Sequence, residues 1–191
     1  MDVPDFDLQP ALENDLLLLR PLREEDFDAL YGVASDPLLW EQHPARDRYK
    51  KNVFEALFRD AMLSKGAFAI VDKKTRQIIG STRFHRIPEV QNAVEIGWTF
   101  LAREYWGGFY NRSMKLLMME YAFNYVDHVL FYIGEGNIRS QKAVEKIGGV
   151  RIISLEGQIL DTRPTAAIVY NITKQAWEIK LKENSCRQAA D

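Results

Sequence analysis

The carboxylate of Glu95 lies in an otherwise apolar segment and could act as a general base. The segment from Val90 to Leu101 alternates as a β-strand does, and its side chains form two sets: Val94, Ile96, Trp98 and Phe100, and opposite them Ala93, Glu95, Gly97 and Thr99. Glu95 is therefore predicted to point away from the bulkier apolar side, where it could accept a proton, directly or through water. The alternative is a surface carboxylate paired with an arginine such as Arg83.

A turn containing Gly107 and Gly108 precedes a helical pattern and could hold phosphate. The first N–H groups of a helix are unpaired and lie at the positive end of its dipole, so a small-residue turn before them suits an anion. Most glycine turns before helices are only turns, and this one lacks both the phosphate-loop lysine and the G-x-G-x-x-G spacing. Arg112 could add a charge-assisted hydrogen bond, or could be a solvated helix residue.

A second helix begins at Asn137, a residue type that often caps helices. Ser140 shares its inner stripe with Ala143, Val144 and Ile147, where a hydroxyl would be buried beside the sheet. This serine could serve as a proton donor, or could bond back to a carbonyl of the preceding turn.

The periodicity of the chain predicts an α/β (α+β) protein with one domain over residues 1–191. Strand patterns at Leu16–Leu22, Ala67–Val71, Ile78–Ile87, Val90–Leu101, Val129–Ile133, Val150–Leu155 and Ala166–Ile172 alternate with helical patterns. The core is expected to cover residues 16–173, and residues 174–191 are expected to form a C-terminal helix and tail.

These segments together resemble the GNAT superfamily of N-acetyltransferases, and most closely its ribosomal-protein N-terminal acetyltransferase branch. The motifs that carry the resemblance are RQIIGS, EIGW, REYWGGFYN and EGNIRSQKAVEKIGG, and the match extends from about Leu16 to Ile172. The resemblance implies a mixed, mostly antiparallel sheet of about seven strands with helices on both faces. It also implies acetyl-coenzyme A as co-substrate, bound where two central strands splay apart.

The resemblance assigns roles to individual residues. Backbone of the turn would hold the pyrophosphate of coenzyme A, through Trp106, Gly107, Gly108, Phe109, Tyr110, Asn111 and Arg112. Backbone N–H groups near Trp98 and Thr99 would polarise the thioester carbonyl, Asn137 would contact the pantetheine arm, and Arg139 and Lys142 could meet the 3′-phosphate.

The chain departs from the family pattern in the cradle, where Trp106, Phe109 and Asn111 stand in place of Gln or Arg, Gly, and Gly or Ala, and again at Val144. Phe109 replaces a cradle glycine, and Val144 replaces the tyrosine that many relatives use as general acid. Ribosomal-protein acetyltransferases resemble this chain in carrying serine at the position of Ser140, and Tyr132 is the reserve donor.

Trp40, Glu41 and His43 fall in the loop that roofs the acceptor site in the family, although a packed or solvated loop is the alternative.

The expected activity is transfer of acetyl to a primary amine, either a peptide N-terminal amine or a small-molecule amine. The alternative is a non-catalytic acyl-coenzyme A sensor or interaction module, favoured by the missing tyrosine and by Phe109 in the cradle. The net charge of −2 argues against nucleic acid and anionic membranes as partners, and His43, His85 and His128 lack metal-site spacing. Lone Cys186 and the absence of an export signal suggest the cytoplasm, and a homodimer stays open.

Overall fold

A computed structural model describes residues 6–88, 90–155, 158–160 and 167–188 of the chain. Its helices are α1 (Phe27–Ala34), α2 (Lys51–Leu63), α3 (Tyr110–Ala122), α4 (Ile138–Lys146) and α5 (Lys174–Gln188). Its strands are β1 (Leu12–Glu13), β2 (Leu17–Pro21), β3 (Ala67–Asp72), β4 (Ile78–Arg86), β5 (Ala93–Leu101), β6 (His128–Gly134), β7 (Val150–Ile152), β8 (Ser154–Leu155), β9 (Gln158–Ile159) and β10 (Ala167–Thr173).

Eight of these strands form one mixed sheet in the order β1-β2-β3-β4-β5-β6-β10-β7. All neighbours are antiparallel except β5 and β6, which are parallel. The predicted α/β class and mostly antiparallel sheet are confirmed, and the eighth strand is the two-residue β1. The segment Val150–Leu155, expected as one strand, is divided, because β8 leaves the main sheet and pairs with β9. Residue 166, the expected start of the last strand, lies outside the described residues.

The central strands β5 and β6 pair along only part of their length. Their register runs from Ala93 opposite His128 to Glu95 opposite Leu130 and stops there, although both strands continue. Beyond Glu95 the two backbones have no ladder between them, so they leave a gap in the middle of the sheet. This is the splay that the family resemblance implies.

Apolar side chains fill both faces of the sheet. On the face called here the α3 face, Val94 and Ile96 pack in one buried cluster with Met114 and Met118 of α3 and Val144 of α4. On the opposite face, called the α2 face, a second cluster joins β3 to α1 and α2, with Leu30, Phe54, Ala61, Ala67 and Ala69 buried. The helices are therefore held against the two faces mainly by burial of apolar surface.

An ion pair at the end of β2 fixes the start of α1. The carboxylate of Asp26, only 3% exposed, accepts hydrogen bonds from Arg20 Nη1 at 2.7 Å and Nη2 at 2.6 Å, and from the Arg23 N–H at 2.9 Å. Asp26, one of the acidic residues before α1, therefore ties the start of this helix to β2, at the end of the strand where β2 pairs with β3.

A β-bulge in β5 changes which face its last residues occupy. Arg83 of β4 pairs with Gly97, whereas Ser81 pairs with Phe100, so β5 contains one extra residue in this interval. Trp98, inside it, has a left-handed φ of 51°. The expected alternation is consequently wrong after Gly97. Trp98 and Phe100 lie on the α2 face, against Arg83 and Phe54 respectively, and Thr99 turns to the α3 face, where its hydroxyl is 2.9 Å from that of Thr82.

Candidate active site

The turn before α3 has the features of an anion cradle. Gly107 adopts a φ of 71°, which favours glycine, and a Cβ added at Gly107 or Gly108 would meet no atom within 4 Å. Phe109 is the N-cap residue and makes no capping hydrogen bond through its side chain. The first N–H groups of α3 therefore face an open surface that suits a pyrophosphate, so the residues present fit coenzyme A.

Side chains around this cradle divide into anchored and free ones. The Trp106 indole donates to the Leu101 carbonyl at 2.9 Å, and the Tyr110 hydroxyl donates to Asp72 at 3.0 Å. Phe109 is 77% exposed, so its ring lies in solvent, and Asn111 is half-buried. Arg112 is exposed in the first turn of α3, where its guanidinium could reach a phosphate.

The helix α4 closes the other side of the gap between β5 and β6. Asn137 caps it by accepting a hydrogen bond from the Ser140 N–H at 3.2 Å, so the predicted capping role is confirmed. Ser140 is half-buried, and among the described residues its hydroxyl makes no hydrogen bond to the preceding turn. Arg139 is half-buried and Lys142 is exposed on the same helix. Val144 is 2% exposed and belongs to the core cluster, so its side chain does not enter the gap.

Glu95 lies on the α2 face at the point where the splay begins. The residue is 1% exposed and is paired in register with His85 across the antiparallel β4–β5 ladder. Its carboxylate folds over Gly97, because a Cβ there would be 2.9 Å from Oε1. The expectation that Glu95 points away from the bulky apolar side is correct, but it is buried and not a surface charge.

Tyr132 belongs to the same face as Glu95 and to the opposite face from Ser140. It packs in a third cluster with Leu130 and Val169, whereas Ser140 belongs to α4, which packs on the α3 face. Leu130 is the register partner of Glu95, so Tyr132 lies one step further along the splay. The two candidate donors therefore approach the gap from different sides.

The loop between α1 and α2 crosses the α2 face and reaches β6. The Trp40 indole is 3% exposed and packs on Phe100 with the ring centroids 5.4 Å apart. Pro44 packs so closely on β6 that a Cβ at Gly134 would be 2.5 Å from its Cγ. Trp40 and His43 thus belong to a packed roof over this face, while Glu41 is exposed.

Electrostatics on the roof favour a neutral His43 beside a cation. Burial, together with the charge of Arg48, lowers the pKa of His43 to about 4, so its imidazole is neutral near pH 7. Arg48 Nη1 lies 3.2 Å from His43 Nε2. Burial also lowers the pKa of Arg48 to about 10, with the charge of Arg83 as the next cause.

Lys115 is a buried cation that the sequence analysis missed. Its side chain projects from α3 onto the α3 face, is 6% exposed, and places Nζ 4.8 Å from the centroid of the Phe131 ring. Phe131 is the first residue of β6 after the last β5–β6 pair, that of Glu95 with Leu130, and so lies where the splay begins. Burial lowers the pKa of Lys115 to about 8. The sequence signal for its burial is its position between Met114 and Met118 on the apolar stripe of the helix.

Within the described ranges, no group of three or more His, Cys, Asp or Glu side chains is close enough to hold a metal ion. In that same part of the chain, no helix combines the length and apolar character needed to cross a membrane.

Comparison with known families gives a match over most of the chain. The family model described as Acetyltransferase (GNAT) domain matches residues 17–150. This range includes β2 to β6, the cradle, α3 and α4, and therefore every element that surrounds the splay.

Solved structures with the same fold have low sequence identity to the chain. A GCN5-related N-acetyltransferase from Brucella melitensis has a TM-score of 0.74 at 19% identity, covering 89% of this chain and 81% of that one. A GNAT-family acetyltransferase from Bacillus anthracis has 0.69 at 19%, covering 87% and 99%. A Vibrio cholerae protein named as a candidate ribosomal-protein-serine acetyltransferase has 0.67 at 15%, covering 90% and 99%.

Proposed function

The chain belongs to the GNAT family of acetyltransferases, and we propose that it moves an acetyl group from acetyl-coenzyme A directly to a primary amine. The observation that carries this proposal is the gap between β5 and β6 beyond Glu95, which opens beside an uncapped helix N-terminus on one side and a buried carboxylate on the other. A thioester held in such a gap can be reached by an amine from the α2 face.

Coenzyme A would be held mainly by backbone groups. The turn from Trp106 to Arg112 would bind the pyrophosphate, and Asn137 would meet the pantetheine arm. The open space at Gly107 and Gly108 supports this placement, and so does the lack of a side-chain cap at Phe109. Arg112, Arg139 and Lys142 would add charge-assisted contacts to phosphate. When bound, acetyl-coenzyme A supplies the activated acyl group.

The bulge in β5 supports a role in polarising the thioester. The positive φ of Trp98 breaks the regular ladder, so the backbone near Trp98 and Thr99 would present N–H groups toward the gap. Backbone donors aimed at a developing oxyanion commonly lower such barriers by a few kcal/mol.

Proton transfer would be divided between the two faces. Glu95 would take the proton of the attacking amine, directly or through water, because it lies on the α2 face at the start of the splay. Ser140 would donate to, or hydrogen-bond, the departing thiolate, with Tyr132 as the reserve donor. A thiol pKa of ~8.5 requires only modest stabilisation of the leaving group, so a hydroxyl is an adequate donor.

A peptide N-terminal α-amine is the acceptor that we favour, and a small-molecule amine is the other candidate. An α-amine with a pKa of ~7.7–8.0 is about a tenth neutral at pH 7, whereas a lysine amine at ~10.4 is almost entirely charged. A carboxylate base suits the α-amine better. The Vibrio cholerae protein of similar fold, with its assignment to ribosomal-protein serine, supports the same acceptor class.

The proposal is tested by following thiol release from acetyl-coenzyme A in the presence of peptides and small amines. Release that depends on both the enzyme and an amine is expected. Saturable coenzyme A binding without amine-dependent release would instead support the non-catalytic sensor or interaction module.

A further inference from the structure

The guanidinium of Arg83 is buried on the α2 face with two of its donors unused. Arg83 is 3% exposed, and its Nη1 donates to Asp60 of α2 at 2.8 Å. Among the described residues, Nε and Nη2 have no hydrogen-bond partner. Buried charged donors are normally satisfied, so these two atoms indicate a missing acceptor.

The two unused donors form one edge of the guanidinium. The hydrogens of Nε and Nη2 point in the same direction, and this edge binds a carboxylate through two parallel hydrogen bonds. The plane of the group is held in place, because its central carbon lies 4.4 Å from the centroid of the Trp98 ring and Nη1 is tied to Asp60. A fixed plane with a free edge is suited to a planar anion.

An apolar cavity has Arg83 in its wall. It is formed between α1, α2 and the sheet, with a volume of about 20 Å³, enough for an oxygen-sized group. Its other walls include Leu22, Leu30, Phe54, Phe58, Trp98 and Phe100. An acceptor that enters here would meet apolar surface together with Arg83.

Further positive charge lies nearby on the roof loop. Arg48 is half-buried next to His43, which is neutral near pH 7, and the nearby charge of Arg83 helps to lower the pKa of Arg48. Asp60, whose carboxylate accepts the hydrogen bond from Arg83, has a side chain that is 64% exposed and therefore largely solvated. Arg48 and Arg83 favour an anionic group at the Arg83 edge, whereas the carboxylate of Glu95, folded over Gly97 on the same face, opposes it.

Arg83 is also close to the proposed reaction centre. It pairs with Gly97, the residue immediately before the bulge at Trp98, and Glu95 lies two residues earlier on the same strand and face. If the amine of the acceptor lies beside Glu95, an anionic group bound by Arg83 would therefore be close to that amine in the same molecule.

We propose that the acceptor carries a carboxylate close to its reacting amine, and that Arg83 binds this carboxylate through Nε and Nη2. The inference rests on the proposed function and specifies its substrate class. The carboxylate has two sources: the α-carboxylate of a free amino acid, or an acidic side chain beside the N-terminus of a peptide.

Matched pairs of acceptors test the inference and separate the two sources. Phenylalanine is compared with phenylalaninamide, and a peptide amide beginning Ser-Asp with one beginning Ser-Asn, by kcat/KM from thiol release. We expect the carboxylate member of one pair to be preferred by about 10- to 100-fold, the usual range for a charge-assisted contact. The pair that shows the preference identifies the source.

Variants then assign the preference to Arg83. Arg83→Met should reduce it to about twofold or less, and Arg83→Lys, which keeps the charge but lacks the two-donor edge, should retain only part of it. Asp60→Asn is the matched control, because it changes the Nη1 contact and leaves Nε and Nη2 in place. The KM for acetyl-coenzyme A should stay the same in all three variants.

Three results would overturn the inference, and they are distinguishable. Equal kcat/KM for both members of each pair, expressed per neutral amine, would show that Arg83 does not bind an acceptor carboxylate, while the proposed function would stand. A carboxylate preference that persists in Arg83→Met would assign it to another residue. Absence of thiol release with every amine would remove the proposed function and this inference with it.

Discussion

The guanidinium of Arg139 stacks on the indole of Trp106, with its central carbon 3.9 Å from the ring centroid. The contact joins the first turn of α4 to the turn before α3, which are the two elements on either side of the splay. Each partner is also held separately, Trp106 by the Leu101 carbonyl and the Arg139 N–H by the side chain of Gln42. The stacked pair therefore links the two elements between which we propose that the cofactor binds.

Coenzyme A binding should change the fluorescence of Trp106, because a pyrophosphate at the cradle would attract the Arg139 guanidinium that stacks on the Trp106 ring. Titration with coenzyme A is expected to give a saturable signal that Trp106→Phe largely removes. Arg112→Ala should weaken binding by about 1.5–3 kcal/mol through loss of a charged hydrogen bond. Lys182→Ala, an exposed cation on α5, is the control. A saturable signal that survives unchanged in Trp106→Phe would place the cofactor elsewhere.

Replacement of the buried carboxylate should affect turnover rather than cofactor binding. Glu95→Gln is expected to lower kcat by ~10²–10⁴-fold, the usual contribution of a positioned base, and to remove the acidic limb of the pH–rate profile. Acetyl-coenzyme A affinity should be almost unchanged. Glu120→Gln, at an exposed position of α3, is the matched control. Near-full turnover with an unaltered pH profile in Glu95→Gln would exclude Glu95 as the base.

The two hydroxyl candidates are separated by single substitutions. Ser140→Ala should lower kcat at least tenfold, because it removes the donor to the thiolate, while Tyr132→Phe should have a smaller effect. Steady-state kinetics with a poorer thiol leaving group should enlarge the defect of the true donor. If Tyr132→Phe shows the larger loss and Ser140→Ala retains turnover, the donor role passes to Tyr132.

Lys115 gives the protein a stability that depends on pH. Because burial lowers its pKa to about 8, the unfolded chain, with a lysine pKa of ~10.4, binds more protons between these values, and stability should rise with pH in this window. Lys115→Met should be more stable than the parent at pH 7 by up to about 3 kcal/mol, and the difference should shrink from pH 8 to pH 10. Urea unfolding measures both.

The exposed Lys142 provides the control for this experiment, since Lys142→Met should leave the pH dependence as it is in the parent. A Lys115→Met variant with the same pH dependence as the parent would show that Lys115 does not titrate on folding.

Periodicity predicts the elements of this fold well, because burial of one face dictates the spacing of apolar residues. The helix that follows the Gly107–Gly108 turn, the cap at Asn137 and the face of β5 on which Glu95 lies all follow from such local patterns. The bulge at Trp98 does not, because one extra residue in β5 is defined only by its pairing with β4. The faces predicted for Trp98, Thr99 and Phe100 are therefore wrong.

Buried cations were the other feature that local patterns could not supply. Arg83 looks like an ordinary polar position in the sequence, Lys115 differs only in lying on an apolar helix stripe, and charged residues are mostly exposed. Their burial results from α2 lying over β4 and from α3 lying over β6, contacts that join segments distant in the chain. The candidate site could thus be located from sequence, but not its charge distribution.

Transfer of the acetyl group itself is the most direct test of the proposed function. The protein is incubated with acetyl-coenzyme A labelled in the acetyl group and with a panel of peptides and small amines, and the products are analysed by mass spectrometry. We predict that the label appears on an amine of the acceptor, with one free thiol formed for each acetyl transferred and none retained on the protein. Label found only in free acetate, or in no product at all, would contradict amine acetylation by this protein.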